Sequence, residues 1–347
     1  MELESFNDVV ASIQRNKNRP FHLLIGNGFS MSYDPKIFSY NALHDFIEDL
    51  DDADLLKILR VIETKNFELI MQQLDSFAMI IESLGGDNKL KKKVATVSMK
   101  LRTGLLEAVK SLHPEHVFKV PEKASERCSR FLRVFLESGG KIFSTNYDLL
   151  LYWILMRNNV NNHCDGFGRR REDSGEFVPA EEQQWSELIW GKHRAEQNVF
   201  YLHGALPFFD DGVDVIKEEY DGQSNLLQKI SDRMKKGEYP VFVTGGDGRQ
   251  KLSHIMHNHY LAHCYDSLCT VTGSLVTFGF GFGQYDEHII DAINRATKSG
   301  AKEPSKLWSL YIGVYSDEDR MRVRQIESRF KCKVHIFDTK TVNVWGT

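Results

Sequence analysis

His203 is followed directly by Gly204 and closes the apolar run Val199–Leu202. Imidazole titrates near neutrality, so a histidine at a strand end can serve as a general base. The same position also suits a histidine bonded to a nearby carbonyl. Asn146 ends a second apolar run, in the segment Ser144-Thr145-Asn146-Tyr147-Asp148. Its amide can hold a sugar hydroxyl or a water, or cap the next helix; Asp148 can complement that helix's dipole. A third run stops at Gly26-Asn27-Gly28, ahead of Phe29 and Ser30. Residues without a Cβ let the backbone turn sharply and approach a ligand, and amides left free before a helix attract anions. A plain turn would use the same glycines, and the full G-x-G-x-x-G pattern is absent. The fourth cluster is Gly279-Phe280-Gly281-Phe282-Gly283, with Asp286 just beyond it.

Histidines and cysteines also gather at His254, His257, His259, His263, Cys264 and Cys269. They lack the paired C-x-x-C spacing of a structural zinc site. On a helix, His254 and His257 share one face while His259 and His263 share another, so no metal is expected. There is no G-x-S-x-G elbow and no P-loop lysine motif, which excludes serine-hydrolase and P-loop readings.

These clusters need a frame that brings distant segments together. Phe21, Leu23, Leu24 and Ile25 form a nearly unbroken apolar run, the mark of a strand covered on both faces of a parallel sheet. Strands are also expected at 141–145, 199–202, 240–243, 275–278, 310–314 and 334–337, separated by helical stretches. Alternating strands and helices predict an α/β fold, a Rossmann-type parallel sheet with helices on both faces. In such sheets ligands lie beyond the carboxyl ends of the strands, where the four clusters fall. Residues 40–138 read as helical throughout, a large insertion. Within it Phe67, Ile70, Met71, Leu74, Phe77, Ile81 and Leu84 mark one buried face, and Gly85-Gly86 interrupts it. Segments 1–39 and 139–347 would then build the α/β domain. The polar stretch 158–197, with Arg169-Arg170-Arg171, reads as a solvated loop or a cover over the site. Ser316, with Asp319 three residues on, predicts a capped helix start.

Composition bounds the partners. The chain has 347 residues, 41% hydrophobic and 27% charged, enough for a sizeable core. A net charge of −4 gives no reason to expect nucleic acid held by bulk electrostatics. No apolar run is long enough to cross a bilayer and the N-terminal stretch is polar, so no membrane contact or signal peptide is expected. Five scattered cysteines suit reduced thiols in a cytoplasm.

Taken in order, Gly26–Ser30, Ser144–Asp148, Tyr201–Gly204 and Phe278–Ile289 resemble the sirtuin-like superfamily. The T-N-Y-D form and the D-x-H-I tail look more like its bacterial NAD-hydrolase branch, associated with anti-phage defence. Pro240–Leu261 is similar to an uncharacterised bacterial family placed near that branch. The resemblance implies NAD+ as substrate and cleavage to nicotinamide and ADP-ribose, in a homo-oligomer with a possible partner defence protein. It implies a diphosphate site at Gly26, Asn27, Gly28, Phe29 and Ser30, with Thr145 nearby. Asn146 would hold the nicotinamide ribose or the attacking water, Asp148 would lie by the carboxamide, and His203 would match the catalytic histidine. Gly279, Gly281 and Asp286 would line the adenosine side. Absence of the sirtuins' paired C-x-x-C motifs weighs against protein deacylation. ADP-ribosyl transfer or deacylation, and a sensor that binds NAD or ADP-ribose without turnover, remain as alternatives.

Overall fold

The computed structural model describes residues 3–15, 19–35, 53–62, 67–158, 160, 162–170, 187–219, 225–236, 238–243, 247–283, 285–298 and 306–346. In chain order the strands are β1 (Phe21–Ile25), β2 (Ile142–Ser144), β3 (Phe167–Arg169), β4 (Leu188–Trp190), β5 (Val199–Tyr201) and β6 (Gly204–Asp210). They continue as β7 (Val215–Lys217), β8 (Pro240–Phe242), β9 (Gly273–Phe278), β10 (Leu307–Val314) and β11 (Lys333–Asp338). The helices are α1 (Phe6–Gln14), α2 (Asn27–Met31), α3 (Ala53–Ile62), α4 (Phe67–Ser83), α5 (Asn88–Leu112) and α6 (Glu122–Leu136). After them come α7 (Leu150–Arg157), α8 (Leu226–Lys235), α9 (Gly248–Met256), α10 (His259–Cys269), α11 (Glu287–Ala296) and α12 (Asp317–Ile326).

Six strands form one parallel sheet in the order β11-β10-β9-β1-β2-β5. The chain lays down β1, β2 and β5 on one side, then returns to β9 and continues outward to β11. That is the Rossmann order, and the direction reverses between β1 and β9. Every residue of β1 is buried, as its apolar run requires. Phe21, Leu23, Leu24 and Ile25 are at most 2% exposed, worth about 1.5–3 kcal/mol each in transfer from water. On one face Phe135 of α6 meets Phe21 edge-on at 5.3 Å, and Phe131 meets Phe278 at 5.5 Å. On the other, His263 of α10 lies 5.9 Å from Phe200 of β5. The fold is α/β with helices on both faces, as the alternation of elements predicts.

Two expectations change. The strand at 240–243 is β8, and it pairs with β6 in a second, antiparallel sheet of order β3-β4-β7-β6-β8. Gly204 makes this possible: its φ of +80° turns the chain from the parallel sheet into β6, and a Cβ there would lie 1.8 Å from the Val241 carbonyl oxygen. Part of the expected 158–197 loop also belongs to this sheet, as β3 and β4. Arg169 pairs with Glu219 at 2.5 Å, and Arg170 lies 3.2 Å from both Glu187 and Asp214. These two arginines therefore brace the second sheet, while Arg171 is outside the described residues.

The second change concerns the helical tract. Ile70, Leu74, Ile81, Val94, Val97 and Leu101 form a cluster of their own between α4 and α5. Helix α6 instead contributes Cys128, Phe131, Leu132 and Phe135 to the main core. Packing thus joins α6 to the main core, while α4 and α5 share a cluster of their own. The predicted stripe is buried at Ile70, Leu74 and Ile81, but Phe77 and Leu84 are 46% and 80% exposed. Residues 36–52 lie outside the described residues.

Candidate functional site at the carboxyl rim

The loops after β1, β2, β5 and β9 leave the parallel sheet in register. Gly26 N–H donates to the Phe278 carbonyl at 3.1 Å, and Thr145 N–H to that of Ile25 at 3.1 Å. Leu202 N–H donates to Ser144 at 2.8 Å. Each bond carries the ladder one residue past the strand, so the four clusters expected to carry chemistry lie along one rim, either side of the reversal point.

The two glycine loops touch there, backbone to backbone. A Cβ on Gly28 would sit 2.6 Å from the Gly279 Cα, and one on Gly26 2.7 Å from the Gly279 oxygen. Gly279 itself has a φ of +65°. Gly28 N–H donates to the Gly279 carbonyl at 2.9 Å and Phe29 N–H to Gly26 at 2.9 Å. With Gly26 bonded to Phe278, three amides expected to face an anion are satisfied inside the chain. Here the glycines serve close loop packing, and the free-amide reading fails for those three groups. Phe29 is a core residue: its ring lies 5.1 Å from that of Trp345, whose Nε1–H donates to the Phe29 carbonyl at 3.0 Å. Thr145 returns its hydroxyl to Ile25 at 3.3 Å.

Ser30, Asn146 and Asp148 come together although more than a hundred residues separate the first from the others. The Asn146 amide donates to Ser30 Oγ at 2.9 Å, and Ser30 donates to Asp148 Oδ2 at 2.5 Å. All three are buried. The other Asp148 oxygen accepts from Leu150 N–H at 2.9 Å, in the first turn of α7. Asp148, and not Asn146, therefore takes up the start of that helix. Nearby, His113 accepts from Leu149 N–H through Nε2 at 3.0 Å, while Nδ1 donates to the Pro114 carbonyl at 2.9 Å. Both nitrogens are committed to the neutral form. Burial lowers the titration of His113, against the opposing pull of Asp148.

His203 closes the rim on the β5 side. Its partner is a second imidazole and not a carbonyl: Nε2 lies 2.8 Å from Nε2 of His288, the second residue of α11. Both rings are at most 3% exposed. Burial, then His288 and Lys251, hold His203 well below the usual histidine range. Burial and then Lys251 bring His288 down to about 3. Lys251 comes from α9, is 1% exposed, and reaches Asp286 Oδ1 at 3.4 Å. The other Asp286 oxygen accepts from Gly283 N–H at 3.1 Å, pinning the late glycine loop. A Cβ on Gly281 would lie 3.2 Å from the Arg322 guanidinium, at the edge of that loop. Tyr147 faces His203 with ring centres 6.5 Å apart, and its hydroxyl donates to Val243 at 2.8 Å.

The expected residues thus fall into linked groups. Gly26, Gly28 and Gly279 form the loop contact, Ser30, Asn146 and Asp148 form one hydrogen-bonded set, and His203 and Asp286 share a set with His288 and Lys251. His113, His288 and Lys251 were not singled out for this site from the sequence. His288 had a signal, its place in the D-x-H-I tail, and Lys251 lies within the Pro240–Leu261 stretch; His113 had none beyond residue type. Among the described residues, no group of three or more His, Cys, Asp and Glu is placed to hold a metal ion. No described helix is long and apolar enough to cross a membrane, and the five cysteines are free thiols.

A family described as "Domain of unknown function (DUF4917)" matches residues 23–345. No curated protein matches the chain.

Proposed function

The chain belongs to the DUF4917 family, and we propose that it is an NAD+ glycohydrolase working at the carboxyl rim. One observation supports this above the rest. Loops carrying glycines, an asparagine, a buried carboxylate and a buried histidine leave four strands in register, astride the reversal point where Rossmann sheets take nucleotides. The order of the four motifs, and their resemblance to the sirtuin-like NAD-hydrolase branch, narrows the nucleotide to NAD+.

In this reading the bond between nicotinamide and C1′ of the ribose breaks, and its electron pair leaves with nicotinamide. Water then adds to C1′ and loses a proton. The sugar passes through an oxocarbenium-like state, so alignment and electrostatic complementarity are the protein's main contribution. Asn146 and His203 align the ribose and the water, and Ser30 ties Asn146 to Asp148. The reading assigns no phosphate contact to the amides of Gly26, Gly28 and Phe29. NAD depletion in anti-phage defence, self-association and a partner defence protein follow from the resemblance alone.

The test is nicotinamide release from NAD+ with no protein acceptor, across a range of protein concentration. His203→Ala and Asn146→Ala should each lower turnover by about 10²-fold or more, the usual size for a positioned proton-transfer group. Near wild-type cleavage by a folded His203→Ala protein removes that assignment. Calorimetric binding of NAD+ with all ligand recovered intact would make the chain a sensor. Neither binding nor release would end the nucleotide reading.

A further inference from the structure

We propose that His288 is a positioning residue that fixes the tautomer of His203, leaving His203 with its proton on Nδ1. Two imidazole nitrogens 2.8 Å apart share one proton, so one Nε2 donates and the other accepts. Both rings are buried, and the groups around them do not favour a second positive charge. Lys251 approaches from α9, the Tyr265 hydroxyl of α10 donates to the His288 carbonyl at 3.0 Å, and Tyr147 faces His203 from the loop after β2. Asp286, at the start of α11, is engaged by Lys251 and by Gly283. Two neutral arrangements remain.

The outer nitrogen of His288 decides between them. His288 Nδ1 is buried and, among the described residues, has no hydrogen-bond partner. If His203 donated, the proton of His288 would sit on that nitrogen as an orphan N–H, the rarer and costlier kind of unsatisfied group. If His288 donates, its Nδ1 keeps only a bare lone pair. The second arrangement is favoured on the order of tenfold or more. It occupies the His203 Nε2 lone pair and puts a proton on Nδ1. His203 then meets a ligand as a donor, not as a free base, and a proton can be taken up only if the shared proton moves back toward His288. This goes beyond the sequence reading of His203 as a base. Its chemical consequence rests on the proposed hydrolysis, but the tautomer does not.

Nitrogen NMR of the full chain labelled at histidine reads the tautomer directly, with no substrate present. His203→Gln assigns the signals by their loss. At neutral pH the wild-type His203 should show a protonated Nδ1 and an unprotonated Nε2. In His288→Leu, Nδ1 should lose its exclusive claim to the proton, its share falling from about nine-tenths toward one half, and any NAD+ cleavage that needs this tautomer should fall by about twofold. A wild-type His203 protonated on Nε2 overturns the proposal, whether or not the variant folds. So does a folded His288→Leu protein whose His203 tautomer is unchanged. Absence of NAD+ cleavage, with the expected tautomer present, would overturn the hydrolase reading and leave this one standing.

Discussion

Replacing Ser30 by alanine tests whether that hydroxyl holds the site together or waits for a ligand. Ser30 donates to the Asp148 carboxylate at 2.5 Å and accepts from Asn146 at 2.9 Å, in a fully buried position. A hydrogen bond to a charged group is worth about 1.5–3 kcal/mol, and the neutral amide bond adds about 1 kcal/mol. Alanine's better helix propensity returns about 0.5 kcal/mol, because Ser30 lies in α2. The net loss is about 2–3.5 kcal/mol. Unfolding entropy near 2.1 cal/mol/K per residue over 347 residues converts this to a melting-point drop of about 3–5 °C. The sharper readout is a double-mutant cycle with Asn146→Ala. Groups in direct contact couple by about 0.5–3 kcal/mol, whereas independent sites add. A Ser30→Ala protein within about 0.5 kcal/mol of wild type, or one whose loss simply adds to that of Asn146→Ala, refutes the bridge. Ser30 would then be free for a ligand, as the resemblance implies.

Other expectations follow from the same contacts. Gly28→Ala drives a Cβ to within 2.6 Å of the Gly279 backbone, which no side-chain movement relieves; calorimetry should show a loss of about 1–3 kcal/mol, typical of overpacking. His22 is buried between Thr272 O and Lys141 N–H, each at 3.0 Å, and burial is the main reason its titration falls to about 4. The unfolded chain takes up this proton first, near 6.5, so the stability from keeping His22 neutral is fully present above 6.5 and is lost as pH falls toward 4. The loss is about 3 kcal/mol across that window. Chemical denaturation from pH 7 to 4 should be shallower in His22→Leu by up to about 1.4 kcal/mol per pH unit; an unchanged slope would mean the ring is hydrated.

Local chemistry was legible wherever it depends on neighbours in sequence. The apolar run of β1, the break at Gly85 and the Ser316–Asp319 capping box all stand where periodicity and residue type put them. Strand ends with polar, turn-forming residues pointed to the rim, because a parallel sheet sets every loop of one kind on the same side. The second sheet was less legible. Strands β3, β4, β7 and β8 span three residues each, too few for an alternation pattern to show, so β8 could be read as a neighbour of the parallel strands.

The sequence by itself determined an alternating α/β chain, four polar clusters and their placement after strands, since these depend on short-range spacing and backbone preference. Only the tertiary structure decided what the clusters do to one another. Folding turned the Gly26 and Gly28 amides inward onto another loop, joined Ser30 to residues 116 and 118 positions away, and set His288 against His203 across 85 positions. A hydrogen bond depends on distance and direction in space, and neither can be read from the separation of residues along a chain.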